Sequence, residues 1–277
     1  MVMAGYRIDG HAHACGEYLN GEKIKSMLVE AGVDGVLLSP GEYMSKTTYA
    51  MNNQAKKEPY ADVVSKNNSK VTWLVSITGM YREIPVGNEY VFELKQKYPE
   101  MIKQCYWVTN MNQDVLEEDY QRMNFDMVKL HQCWEKFDIE DDYFWEVAGW
   151  AEEKQIPLFI HVKNKTQMDK LINYIKNHPK LKVVIGHLYL VEEFFKFDKD
   201  IFKNTYFDLS NLYYVSKERT KLAYEHFGAK HLLLGSDTPY GHFALRDTVK
   251  QIQELGLSEE ETDLILGLNL VKIMKRD

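Results

Sequence analysis

Residues 6–13, Tyr-Arg-Ile-Asp-Gly-His-Ala-His, decide how the rest of the chain is read. They hold the first β-type run, Tyr6–Asp9, and the turn that follows it. An open, doubly wound α/β sheet would normally carry a glycine-rich phosphate turn after such an early strand. Here the position reads Asp9-Gly10-His11-Ala12-His13, with imidazoles where that fold would need glycines. Residues two apart in extended chain project to the same side, so His11 and His13 face one point. That arrangement suits a closed (β/α)8 barrel, whose working residues come from the C-terminal ends of its strands.

Outward from this stretch, short apolar runs alternate with helical patterns almost to the C-terminus. Further strands are predicted at Gly35–Leu38, Gln104–Val108, Met127–His131, Pro157–His161, Lys182–Gly186, Thr205–Leu209 and His231–Gly235. Several are continuously apolar, as strands of a parallel sheet buried on both faces should be. One more run, Val71–Ile77, is a ninth candidate that an eight-fold count does not absorb. Between the runs, Ile24, Met27, Leu28 and Ala31 keep the i, i+3, i+4, i+7 spacing of a one-sided helix. Phe144, Val147, Ala148 and Ala151 keep it too, as do Met168, Leu171, Ile172 and Ile175. Ser258 with Glu261 three residues on forms a capping box that should start the last helix. Alternating β and α units demand right-handed crossovers and a mainly parallel sheet. The fold class expected is therefore α/β, a (β/α)8 TIM-type barrel forming a single domain over residues 1–277.

Composition agrees. The chain has 277 residues, 45% hydrophobic, enough for one such barrel, with no linker-like or low-complexity stretch. A net charge of -7 argues against nucleic acid and against anionic membrane surfaces as partners. It leaves a small-molecule substrate, anionic ones included, as the expected partner. Cys15, Cys105 and Cys133 are an odd set without CxxC spacing and read as reduced thiols. Met1–Gly5 has neither the basic region nor the apolar stretch of a signal peptide, and no apolar run reaches membrane-spanning length. A cytoplasmic protein is expected, as a monomer or a homodimer.

A polar residue at the end of an apolar run is a site candidate; one at its start is not. His11 and His13 close the first strand, His161 ends Pro157–His161, His187 ends Val183–His187 and Asp237 ends Leu232–Asp237. Four strand ends thus deliver ligand types to one end of the barrel, which implies a shared metal site. Imidazoles with a carboxylate suit zinc, manganese or iron, whereas a hard cation would need more oxygen ligands. Lys129 and His131 share one face of their strand, so both look inward or neither does. If inward, Lys129 would pair with a carboxylate such as Asp9 or Asp208. Arg82, Trp134, Tyr189, Tyr213, Tyr214, His242 and Arg246 follow strand ends and are candidates for substrate binding. Arg82 or Arg246 could grip a carboxylate in a bidentate pair. His178, His226 and His231 fail the strand-end filter and read as structural.

The motifs in order resemble the amidohydrolase superfamily, and more closely its amidohydrolase 2 branch. The resemblance rests on Asp9-Gly10-His11-Ala12-His13, Val128-Lys129-Leu130-His131, Ile160-His161 and Gly186-His187. Phe207-Asp208-Leu209-Ser210, Gly235-Ser236-Asp237-Thr238-Pro239-Tyr240 and Ile265-Leu266-Gly267-Leu268-Asn269 complete it. It implies that His11, His13, His161 and Asp237 bind one divalent metal, zinc first and manganese as the alternative. It further implies that His187 orients or polarises the substrate and that Asp237 moves a proton. A bound cation lowers the pKa of its water to about 7, which makes hydrolysis of an amide, lactone or ester the expected reaction. Decarboxylation of an aromatic or unsaturated acid is the alternative in the same branch, and a non-catalytic barrel is a third reading. A carboxylated lysine bridging two metals occurs in binuclear relatives; with Lys129 read as a paired interior lysine, one metal is expected, not two. Leu188-Tyr189 follows His187 where the branch usually has a glycine two residues on, which bears on the substrate rather than on the metal.

Overall fold

Asp9 accepts a hydrogen bond from the His11 backbone through Oδ1, and this local closure shapes the first strand. β1 (Ile8–Ala14) does not stop at Asp9 as predicted but runs on through both histidines. Its pairing with β2 (Gly35–Pro40) slips between Asp9, opposite Val36, and Ala12, opposite Leu38. That is the two-against-one count of a bulge, a device that re-aims side chains beside active sites.

The other strands lie within a residue or two of their predicted places: β3 (Ile102–Trp107), β4 (Met127–His131), β5 (Leu158–His161), β6 (Val183–Ile185), β7 (Thr205–Asp208) and β8 (Leu232–Leu233). They form one sheet in chain order, every pair parallel. Backbone past β8 meets β1: Gly10 N donates to Leu234 O at 2.9 Å, Asp237 N to His11 O at 2.7 Å and His13 N to Thr238 O at 2.8 Å. The sheet is thereby a nearly closed (β/α)8 barrel. Gly10 is required at this seam, because a Cβ there would stand 2.7 Å from Leu234 O. The computed structural model describes residues 5–14, 18, 20–41, 86–110, 112–132, 135–212, 214–240 and 245–275. The ninth strand candidate, Val71–Ile77, lies outside these residues, as do Cys15, Cys133, Arg82, Trp134, Tyr213 and His242.

Around the barrel run α1 (Gly21–Ala31), α2 (Val86–Lys97), α3 (Leu116–Met123), α4 (Asp142–Lys154), α5 (Lys165–Asn177), α6 (Lys217–Phe227) and α7 (Leu245–Gln253). The chain closes with α8 (Glu259–Asp263) and α9 (Asn269–Met274), joined by a π turn at Leu264–Leu268. Between β6 and β7 the chain makes three 3-10 turns, Gly186–Leu188, Val191–Lys196 and Lys199–Phe202, in place of a helix. The predicted stripes of α4 and α5 are fully buried; on α1, Ile24, Leu28 and Ala31 are buried and Met27 partly so. Ser258 and Glu261 form the expected capping box. No helix among the described residues is long and apolar enough to cross a membrane.

Inside the barrel each strand contributes one residue to an apolar layer: Ile8, Leu37, Cys105, Met127, Phe159, Val184, Tyr206 and Leu233. Leu270 and Ile273 of α9 close it from below. Each such side chain contributes roughly 1.5–3 kcal/mol by leaving water. Two residues further along the chain from six of these, the period-2 rule puts Trp107, Lys129, His161, Gly186, Asp208 and Gly235 above this layer. The polar site is thus built on the core.

Candidate metal centre

β1 and the segment after β8 set the centre. His11 Nδ1 lies 3.0 Å from Asp208 Oδ2, and His13 Nδ1 lies 2.9 Å from Pro40 O. Both oxygens can only accept, so each imidazole carries its proton on Nδ1 and leaves Nε2 as a lone pair. The two Nε2 atoms stand 3.3 Å apart, and Asp237 Oδ1 is 3.5 and 3.6 Å from them. Three electron-rich atoms converge on one point, an arrangement that a divalent cation would stabilise. Tetrahedral ligands at about 2.1 Å from zinc stand roughly 3.4 Å from one another, so the spacing fits.

β5 and β6 add a second face. Ligand atoms of His11, His161 and His187 all lie within 4.8 Å of one another, as do those of His11, His13 and Asp237. His161 Nε2 is buried without a hydrogen-bond partner among the described residues. Gly186 makes room for that ring, since a Cβ there would lie 2.4 Å from His161 Cδ2. His187 has φ +59° and Leu188 φ +49°, consecutive left-handed residues where a glycine would be unstrained. The turn brings His187 N within 3.1 Å of Asp208 Oδ2 and His187 Nε2 within 4.0 Å of Asp237 Oδ2.

β4 sends both Lys129 and His131 inward. Lys129 is fully buried, but neither Asp9 nor Asp208 is held in the way expected for its partner. Its Nζ lies 3.1 Å from the Nε2 of both His11 and His13, facing the same lone pairs. Asp9 instead accepts from Ser236 N at 2.9 Å and Ser236 Oγ at 2.6 Å, while Asp208 serves His11 and Ser210. Asp9 is thus engaged toward β8 and Asp208 with His11, while the charge of Lys129 acts on the Asp237 carboxylate. His131 stacks on Trp107 and meets His161 edge-on at 4.2 Å.

Burial, with the charge of Lys129 next, holds His11, His13 and His131 well below the usual imidazole range. Burial, followed by His131, does the same to His161. Burial lowers His187 as well, partly offset by Asp208. Neutral imidazoles are the ligating form. Burial lifts Asp237 to about 7 in the metal-free chain, against the opposing pull of Lys129.

These residues lie at the strand ends of a barrel for which the family model described as Amidohydrolase matches residues 77–273, most of the chain. The chain belongs to the amidohydrolase family. The match begins after β1 and β2, so the placing of His11 and His13 rests on geometry. No curated protein matches the sequence. Among solved structures, a variant of 5-carboxyvanillate decarboxylase from Novosphingobium aromaticivorans with bound manganese is similar in fold. It is 12% identical, with 98% of this chain and 97% of that chain covered at a TM-score of 0.63. The 4-oxalomesaconate hydratase of Rhodopseudomonas palustris is 16% identical over 97% and 95%, with a TM-score of 0.64. A probable 2-pyrone-4,6-dicarboxylic acid hydrolase of Acinetobacter baumannii with citric acid bound is 15% identical over 97% and 99%, with a TM-score of 0.65.

Of the remaining candidates of this amidohydrolase, Tyr214 packs against the His187 ring at 5.7 Å and the others lie farther out. Tyr189 is at the rim, 37% exposed, its hydroxyl 3.5 Å from Lys163 O. Arg246 pairs with Glu30 of α1 at 2.7 Å. His178 bonds Glu152, His231 bonds Thr205 O and His226 packs between Phe195 and Phe227. Sequence reading missed Ser210, Ser236, Asn211 and Glu135. Asn211 Nδ2 donates to Asp237 Oδ2 at 3.2 Å. Glu135 accepts from Trp107 Nε1 at 2.7 Å and from His131 N at 2.9 Å. Ser210 and Ser236 could have been suspected from their place just beyond a strand end, beside residues already singled out.

Proposed function

We propose that this amidohydrolase is a metal-dependent hydrolase of a small-molecule amide, lactone or ester. The observation that carries the reading is the convergence of His11 Nε2, His13 Nε2 and Asp237 Oδ1, three lone-pair atoms spaced for one divalent cation. His161, with its unpartnered buried Nε2, would complete the set. Bound there, a divalent metal lowers the pKa of water to about 7 and polarises a carbonyl oxygen. Zinc suits the three imidazoles and one carboxylate, and manganese is the alternative.

The chain's own groups do the rest. Asp237 splits its carboxylate: Oδ1 faces His11 and His13, while Oδ2 is held by Asn211 and faces His187. Oδ2 can take the proton of the attacking water and return it to the leaving group, a transfer typically worth about 10²–10⁴-fold in rate. Trp107, Phe159 and His131 wall the site on the β3–β5 side and keep bulk water from it.

Metal analysis of purified protein with a turnover panel tests this. About one equivalent of metal, lost in His11→Ala with His13→Ala, is expected, together with hydrolysis of one class among amides, lactones and esters. Carbon dioxide release from carboxylic acids by the metal-loaded protein, without hydrolysis, would replace this reading by decarboxylation. Full metal retention by the double variant would remove the site.

A further inference from the structure

Ser210 Oγ touches three groups. It lies 2.5 Å from Asp208 Oδ2, 2.9 Å from His11 Nδ1 and 2.9 Å from His187 Nδ1. A hydroxyl has one proton to give. Asp208 also accepts from His11 Nδ1 at 3.0 Å, from His187 N at 3.1 Å and, through Oδ1, from Ser210 N at 3.0 Å. Two backbone N–H groups, of His187 and Ser210, already donate to Asp208, and the Ser210 hydroxyl donates its one proton to Oδ2. Toward the imidazoles Ser210 Oγ can then only accept. The His187 ring agrees independently, because its Nδ1 also lies 3.3 Å from Ser210 O, a carbonyl that cannot donate.

We propose that Ser210, seated on Asp208, is a positioning residue that fixes His187 in its Nδ1–H form, so that His187 Nε2 faces the cavity as an acceptor. His11 is held the same way by the same pair, so one hydroxyl and one carboxylate set both rings. The consequence for chemistry rests on the proposed function. A neutral His187 does not donate to a substrate carbonyl; it receives a hydrogen bond from a hydroxyl, an N–H or a protonated acid. In the proposed reaction that donor is the attacking water or a hydroxyl or N–H of the substrate, so His187 holds the nucleophile or orients a donor group and does not polarise the carbonyl.

Nitrogen-15 NMR of histidine-labelled full-length protein, loaded with zinc, reads the tautomers without turnover. The His187 signals are assigned by their loss in His187→Gln. A protonated Nδ1 and an unprotonated Nε2 are expected at His187. In Ser210→Ala the His187 Nδ1 proton should move upfield and exchange faster with water, while His231, bonded to Thr205 O elsewhere, stays put. An Nε2–H form of His187 in the wild type overturns the proposal whether or not the variant folds. So does a His187 Nδ1 proton that Ser210→Ala leaves unmoved. Either outcome can occur in a protein that still binds zinc and hydrolyses its substrate, so the two readings fail separately.

Discussion

Replacing Gly235 by alanine should damage the metal centre without touching any of its donors. A Cβ at Gly235 would stand 2.1 Å from Asp208 Oδ1 and 3.0 Å from the Cβ of both His11 and Ser210. Ordinary contact begins at 3.4 Å, so Asp208 must retreat by more than an ångström. It has no free direction, since Oδ2 holds His11, Ser210 and the His187 backbone. Overpacking of this kind costs roughly 1–3 kcal/mol. Loss of a charged hydrogen bond adds about 1.5–3 kcal/mol. At roughly 2–4 °C per kcal/mol for a chain of this size, the melting temperature should fall by about 5–24 °C. Zinc affinity, from titration against a competing chelator, should fall about 10–100-fold as His11 loses the partner of its Nδ1. Gly149→Ala is the matched control. It lies in α4 with nothing within 4 Å of its added Cβ, and it should gain roughly 0.5–1 kcal/mol. A Gly235→Ala protein that melts with the wild type and binds zinc as tightly would refute the claim that Asp208 is wedged in place.

Gly186→Ala should press on His161 through Cδ2 at 2.4 Å and Nε2 at 2.8 Å, weakening zinc binding about 10-fold; unchanged affinity would take His161 out of the ligand set. Lys129 Nζ occupies the lone pairs a metal needs, so Lys129→Met should tighten zinc binding about 10–100-fold at fixed pH. Weaker binding would show instead that Lys129 belongs to the site. Glu135 is raised from 4.5 to about 8, first by burial, so its stabilising contribution is whole below about pH 4.5 and lost as pH rises through about 8. Glu135→Gln, which leaves one of two donors facing an amide, should be less stable by about 1–3 kcal/mol at pH 5, and the gap should shrink and then reverse as pH rises through about 8. Urea melts that show a gap independent of pH would refute the assignment.

The strands were legible because a parallel barrel strand is a short apolar run with a polar end, and Pro157–His161 or Lys182–His187 advertises both. Period two also placed Lys129 and His131 together on the inner face of β4. The partner of Lys129 was not legible. Choosing among Asp9, Asp208 and the histidines needs the direction of each carboxylate, which the bulge in β1 and the seam with β8 decide. Ser210 and Asn211 escaped for a related reason. They act through other side chains, so neither is a ligand type at a strand end, and their partners lie on β1, β6 and the segment after β8. Arg246 was drawn toward the pocket by its place after the last strand, yet α7 carries it round to Glu30.

The two halves of the site are held by different physics. His131 and His161 reach the cavity by plain strand alternation, with ordinary backbone. On the other half His187, Leu188, Leu190, Asn211 and Asp237 all have φ between +49° and +63°. Non-glycine residues in that region cost of order 1–3 kcal/mol each, least for Asn and Asp. Regular β geometry would carry the chain past the barrel mouth; the left-handed turns fold it back, aiming His187 and Asp237 at one another. What offsets the strain is the set of hydrogen bonds meeting at Asp208, Ser210 and Asn211. Conservative changes at those three positions should therefore lower stability and metal affinity together. Changes at His131 should alter the pocket and cost stability through its ring contacts with Trp107 and His161, without releasing strain in the β4 backbone.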